Sequence, residues 1–125
     1  MSDNLPLEGR QVLVVEDQYL LARDVCEWLE AAGAQVVGPA PDSRKACELL
    51  EGQTVDSAVV DINLGRGPTY EVATRLNERD VPFLFATGYD EAAIPSEFQS
   101  APRLEKPFRG AELVNALQAL GGRRD

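Results

Sequence analysis

Acidic, hydroxyl and lysine side chains follow four of the short apolar runs in this sequence. Glu16 and Asp17 end the first run, and Asp61 lies near the end of the third. Thr87 ends the fourth run, and Lys106, followed by a proline, ends the fifth. If these runs are strands of one parallel sheet, their carboxyl ends point the same way, and ligands of such sheets bind outside those ends. The spacing therefore predicts one shared pocket.

The three acids favour a cation site. Carboxylates crowded together repel one another, which raises their pKa values unless a cation is present. Because Glu16, Asp17 and Asp61 offer only oxygen and the chain contains no histidine, the predicted cation is hard and oxygen-binding, with Mg²⁺ as the leading candidate.

Asp61 is the candidate nucleophile of this pocket. A carboxylate can accept a phosphoryl group to give an aspartyl phosphate, and such a transfer mainly needs positioning and charge neutralisation. Lys106 would supply a point charge, while the Thr87 hydroxyl and the Gly88 amide would donate hydrogen bonds to phosphoryl oxygens.

Each of these residues alone also has a simpler interpretation. An acidic pair after a strand often marks a helix N-terminus, and an aspartate after a strand often caps a loop. Thr87 alone is typical of a satisfied strand-end hydroxyl, and Lys106 alone of a solvated surface charge. The ordered combination at four strand ends favours the shared pocket.

The elements that must position these groups alternate along the chain. Apolar runs predict five strands, and helical spacing or a capping residue predicts the helices between them. The alternation favours a doubly wound parallel α/β sheet with helices on both faces. The predicted strands are 11–16, 34–37, 57–62, 83–86 and 103–105; the predicted helices are 18–32, one capped by Asp42 or Ser43 and ended by Gly52, one containing 72–76, and 110–120; residues 90–100 are predicted to be irregular or one short helical turn.

Length and charge limit the other possibilities. At 125 residues the chain has the size of one domain, predicted over 10–121 with flexible tails at 1–9 and 122–125. Twelve basic and 21 acidic residues give a net charge of −9, which disfavours nucleic acids and anionic membranes as partners.

The remaining composition excludes several classes of site. Without histidine the chain holds no Ser-His-Asp or Cys-His site and no histidine-ligated metal. Cys26 and Cys47 lack a zinc or redox spacing. No apolar run reaches membrane-spanning length, and the start is unlike a signal peptide, so a cytoplasmic location is expected.

From Val12 to Leu120 the chain resembles the receiver domain of two-component response regulators. The matching segments are VLVVEDQ at 12–18, VVDINL at 59–64, FATGY at 85–89 and EKPF at 105–108. The resemblance implies a flavodoxin-like, five-stranded parallel sheet of order 2-1-3-4-5. FATGY, VGPA at 37–40 and the weak fourth helix resemble the stand-alone FATGUY class of receivers.

The resemblance also implies roles for individual residues. Asp61 would be the phosphoacceptor, Thr87 the switch hydroxyl and Lys106 the phosphate-binding lysine. The implied Mg²⁺ ligands are Glu16, Asp17, Asp61 and the backbone carbonyl of Asn63. Receivers often carry an aromatic switch residue three positions before the lysine, where this chain has Arg103. Tyr89 would replace that aromatic residue, cover the pocket, or simply pack on its loop.

The expected function is that of a single-domain response regulator, and not of a classical enzyme. A sensor histidine kinase or a histidine phosphotransfer protein would phosphorylate Asp61 in trans, and the signal would leave by protein contact or the domain would act as a phosphate sink. One alternative is an unphosphorylated receiver-like interaction module. Another is a flavodoxin-like cofactor carrier, although Glu16-Asp17-Gln18 would repel phosphate where such a carrier needs a phosphate-binding loop.

Overall fold

Five parallel strands and four α-helices alternate along the described part of the chain. The computed structural model describes residues 5–62, 70–88 and 94–121. The sheet order is β2-β1-β3-β4-β5, and every neighbouring pair is parallel, so the predicted fold class and strand order are confirmed. The elements are β1 Gln11–Val15, α1 Tyr19–Ala31, β2 Gln35–Ala40, α2 Ser43–Gly52, β3 Ser57–Asp61, α3 Tyr70–Glu78, β4 Phe83–Thr87, a 3₁₀ turn Ser96–Phe98, β5 Arg103–Glu105 and α4 Gly110–Leu120.

The sheet is buried on both faces because its central strands are continuous apolar runs. Alternate side chains of β1 point to opposite faces. Leu13 and Val15 join the core that packs against α2 and α3, whereas Val12 and Val14 join the core under α1 and α4. None of the described helices is long and apolar enough to cross a membrane.

Local side-chain bonds decide where two helices begin. The Lys45 amide donates to Asp42 Oδ1 at 2.9 Å, so Asp42 is the cap and α2 begins at Ser43. At the start of α4 the Arg109 amide donates to Glu112 Oε1 at 2.7 Å. Between β4 and β5 the described residues form only the short 3₁₀ turn, in agreement with the predicted irregular segment.

The predicted end of the second strand is wrong. The prediction stopped before Gly38-Pro39, whereas β2 continues to Ala40. The register shifts by one residue, from Leu13 opposite Val37 to Val15 opposite Ala40. Gly38 accommodates the shift with a φ of +106°, and a Cβ there would lie 2.8 Å from the Ala40 nitrogen. This is the bulge geometry in which glycine is favoured.

The predicted N-terminal tail is also wrong for residues 5–9. The Leu7 amide donates to the Ala32 carbonyl at 2.9 Å, and the Gly9 amide donates to the Gly33 carbonyl at 3.2 Å. Leu7 is fully buried in the core under α1 and α4. The folded unit therefore includes residues 5–9, while residues 1–4 and 122–125 lie outside the described residues.

Leu7→Ala is expected to lower the free energy of unfolding by about 2 to 5 kcal/mol, because it removes a fully buried side chain and leaves a cavity. Leu5→Ala is the matched control, since Leu5 is 44% exposed, and it should cost less than about 1 kcal/mol. Urea denaturation measures both changes. Equal, small losses in the two variants would contradict the inclusion of this segment in the domain.

Candidate functional site

The carboxyl ends of four strands meet at one edge of the sheet. Glu16 follows β1, Asp61 ends β3, Thr87 ends β4 and Lys106 follows β5. The Glu16 amide continues the sheet ladder by donating to the Ala40 carbonyl at 2.9 Å. The fold therefore brings residues distant in sequence to one rim.

The three acids form a compact cluster of oxygen ligands. One carboxylate oxygen from each of Glu16, Asp17 and Asp61 lies within 4.8 Å of the others. Glu16 and Asp61 are 6% and 3% exposed, whereas Asp17 is exposed. The pocket is therefore walled by two buried carboxylates and open at Asp17, and its all-oxygen donor set fits Mg²⁺.

Lys106 makes ion pairs with both buried carboxylates. Its Nζ lies 3.1 Å from Asp61 Oδ2 and 3.3 Å from Glu16 Oε1. The strand pairing fixes the base of this side chain, because the Lys106 amide donates to the Thr87 carbonyl at 2.7 Å. Breaking such a buried pair leaves an uncompensated charge.

Even with these ion pairs, the ionised form of Glu16 is disfavoured. Burial, followed by repulsion from Asp61, raises the pKa of Glu16 from 4.5 to about 7. The Gln18 amide, which donates to Glu16 Oε2 at 3.1 Å, and Lys106 act in the opposite direction. Burial lowers the pKa of Lys106, but the charges of Asp61 and Glu16 outweigh it, so the net shift is upward. The pocket thus favours a further positive charge beside these carboxylates.

Thr87 and Gly88 lie at the same rim. Ala86 is the register partner of Asp61, so Thr87 is one residue beyond that partner on the neighbouring strand. Thr87 is 8% exposed. A Cβ on Gly88 would meet no atom within 4 Å, which leaves space next to its amide. Two other predicted site residues, Asn63 and Tyr89, lie outside the described residues.

Arg103 is exposed on β5, at the position where the resemblance to receivers implies an aromatic residue. Its Nη2 donates to Gln99 Oε1 at 3.2 Å.

Three aromatic rings form a cluster in the core. Tyr70 of α3 stacks on Phe98 with ring centroids 5.6 Å apart, and Phe85 meets both rings edge-on. Sequence reasoning missed this cluster, because its members come from three separate elements.

Sequence reasoning also missed the two contacts that orient Glu16. The ion pair with Lys106 and the bond from the Gln18 amide engage different oxygens of the carboxylate. The signal for the second contact was Glu16 itself, because an acidic side chain after a strand can accept the backbone N–H two positions later.

Comparisons with known proteins agree with this fold. The family model described as the response regulator receiver domain matches residues 12–118. The solution structure of SdrG from Sphingomonas melonis Fr1 is 35% identical, with a TM-score of 0.78 over 95% of this chain and 98% of that one. A response regulator receiver protein from Sinorhizobium medicae WSM419 is 30% identical, with a TM-score of 0.76 over 91% and 95%.

One curated relative is longer than this chain and is matched over only part of its length. The transcriptional regulatory protein PdtaR of Mycobacterium tuberculosis is 28% identical in an alignment 113 residues long, which covers 87% of this chain and 55% of that protein. The chain thus spans about half the length of the curated relatives it matches. Since the family model covers most of the sequence, the chain belongs to the response regulator receiver domain family.

Proposed function

We propose that this domain accepts a phosphoryl group on Asp61 from a phosphohistidine of a sensor kinase or a histidine phosphotransfer protein. The observation that carries the proposal is the placement of a buried Asp61 carboxylate 3.1 Å from the Lys106 ammonium and within the acidic cluster. The 125 residues contain no histidine, so the phosphohistidine lies outside them.

The transfer is a displacement at phosphorus. A carboxylate oxygen of Asp61 forms the new P–O bond while the P–N bond of the donor breaks, and the electron pair of that bond stays on the imidazole nitrogen. Catalysis of such a step depends on positioning and on neutralising the phosphoryl oxygens. Lys106 already lies beside the attacking carboxylate and would remain paired with the transferred group.

The acidic cluster would hold Mg²⁺ through Glu16, Asp17 and Asp61, with the Asn63 carbonyl as a further proposed ligand. When bound, the ion would neutralise charge on the transferring phosphoryl oxygens. When all are ionised, three carboxylates and one ammonium carry a net charge of −2. One divalent cation would balance that charge. This balance and the raised pKa of Glu16 support the assignment.

Thr87 and Gly88 are proposed to bind the new phosphoryl group from the neighbouring strand. The Thr87 hydroxyl and the Gly88 amide would donate to its oxygens, and the loops at this rim would move with them. Tyr89 is the proposed aromatic participant, because Arg103 occupies the usual position. The altered rim would change a protein-binding surface, or the domain would act as a phosphate sink. The FATGY segment supports assignment to the FATGUY class.

Mg²⁺ is expected to raise the melting temperature of the protein, because the acidic cluster exists only in the folded state. Free Mg²⁺ at about ten times its Kd would add about 1.4 kcal/mol to the free energy of unfolding. Asp17→Asn should reduce the shift, whereas Asp24→Asn, on the exposed side of α1, should preserve it. A melting temperature independent of Mg²⁺ would contradict the metal site.

The metal-free protein is expected to lose stability as the pH rises from about 5 to 8. Glu16 has a higher pKa folded than unfolded, so its contribution is complete below about pH 4.5 and is lost as the pH passes about 7. The free energy of unfolding should fall by about 3 kcal/mol relative to Glu16→Gln over this range. Glu30→Gln, at an exposed position, should keep the wild-type profile. Identical profiles for wild type and Glu16→Gln would refute the cause.

Acetyl phosphate with Mg²⁺ is expected to add the mass of one phosphoryl group to the intact protein. Asp61→Asn should abolish the adduct, because it removes the nucleophile, while Asp24→Asn should retain it. Intact-mass spectrometry measures both. An adduct that persists in Asp61→Asn would identify another acceptor, and an unlabelled wild-type protein would favour the unphosphorylated interaction module.

A further inference from the structure

The chain leaves the sheet just before the lysine that pairs with the two buried acids. Strand β5 is an edge strand of three residues and ends at Glu105. Lys106 follows, and its amide donates to the Thr87 carbonyl at 2.7 Å. Because the stem of a lysine is flexible, the position of the Lys106 ammonium depends on how firmly the backbone on both sides of the residue is held.

On the carboxyl side of Lys106 the chain is anchored by an aromatic contact with α1. Phe108 is 9% exposed and belongs to the core under α1 and α4. Trp28 of α1 packs edge-on against it, with ring centroids 6.2 Å apart. Two residues of chain span at most about 7 Å, so a displacement of Phe108 is passed on to the backbone of Lys106.

The same indole ring contacts the start of α4. A Cβ on Gly110 would lie 2.7 Å from Trp28 Cγ and 2.8 Å from its Cδ1, so glycine lets the helix and the ring meet. Between these two contacts the Arg109 amide donates to Glu112 Oε1 at 2.7 Å. One side chain of α1 therefore holds the chain at two points directly after the lysine.

We propose that Trp28 is a positioning residue, whose contacts with Phe108 and Gly110 fix residues 106–110 and so hold the Lys106 ammonium beside Asp61. This role rests on the proposed function, in which Lys106 neutralises charge on the transferred phosphoryl group. Trp28 acts through the segment that follows the lysine and not by contact with the phosphoryl group. Loss of its contacts slows the transfer, although the nucleophile and the acidic cluster remain.

The placement of Lys106 can be measured directly, because the chain contains only two lysines, Lys45 and Lys106. In protein labelled with carbon-13 in its lysines, the two Hε protons of a fixed side chain have different NMR shifts, whereas those of a freely rotating side chain coincide. We expect separate Hε shifts for Lys106 and coincident shifts for Lys45, which is exposed. Trp28→Leu should make the Lys106 shifts coincide.

Phe83→Leu is the control for the loss of an aromatic side chain from the core. Phe83 is 5% exposed and packs edge-on against Phe85, with ring centroids 5.3 Å apart. It lies at the start of β4, at the opposite end of the strand from Thr87. Phe83→Leu should lower the stability of the protein, as Trp28→Leu does, and should leave the Lys106 shifts separate.

Gly110→Ala disturbs the same contact without removing a ring. The φ of Gly110 is not positive, so alanine is allowed at this position and is the better helix former. Its methyl group would displace the Trp28 ring, which has room to move because a groove of about 530 Å³ lies beside it. Gly52→Ala on α2 is the matched control, since a Cβ there would meet no atom within 4 Å. Only Gly110→Ala should alter the Lys106 shifts.

The consequence for phosphoryl transfer is measured as the rate of labelling by acetyl phosphate with Mg²⁺, followed by intact-mass spectrometry. Trp28→Leu and Gly110→Ala should be labelled about tenfold more slowly than wild type, because catalysis is sensitive to small displacements of a charged group. Phe83→Leu and Gly52→Ala should be labelled at the wild-type rate.

The outcomes separate this role from the proposed function. Lys106 shifts that stay separate in both Trp28→Leu and Gly110→Ala would overturn the positioning role, whatever the labelling rates. Coincident shifts together with wild-type labelling rates would overturn its consequence for transfer. A wild-type protein that is not labelled, while the shifts respond as expected, would contradict the proposed function and support the placement of Lys106 by Trp28.

Discussion

The structure depends on holding two buried carboxylates, Glu16 and Asp61, next to each other at the rim of the sheet. Burial and mutual repulsion both oppose their ionisation, and a pKa of about 7 for Glu16 expresses that cost. The Lys106 ammonium offsets part of it through two close ion pairs. The remaining negative charge is what a bound divalent cation would neutralise.

Each strand contributes one element of this arrangement. Strands β1 and β3 are neighbours at the centre of the sheet, which brings Glu16 and Asp61 together. The bulge in β2 places the Ala40 carbonyl where it accepts the Glu16 amide. On the other side, β5 is only three residues long, yet its pairing with β4 is enough to bring Lys106 within reach of the acids.

Sequence reasoning located the sheet and the converging residues because both follow from local rules. Apolar runs mark buried strands, and parallel strands share one carboxyl edge. It failed at Leu7, one of two leucines in a short N-terminal segment, because the burial of Leu7 depends on contacts with the end of α1. It also failed at β2. A Gly-Pro pair would end most strands, but an edge strand such as β2 tolerates it. The pairing of Lys106 with Glu16 depends on tertiary distances that no spacing encodes.

The central claim is that the acidic pocket requires a cation, and the titration of Glu16 tests it most directly. Carbon-13 NMR of the Glu16 side-chain carboxyl would follow its ionisation in metal-free protein and at saturating Mg²⁺. We expect a pKa of about 7 without the metal and a value well below that with Mg²⁺ bound. A Glu16 pKa that is the same in both conditions would show that the ion does not relieve the repulsion, and would contradict this account.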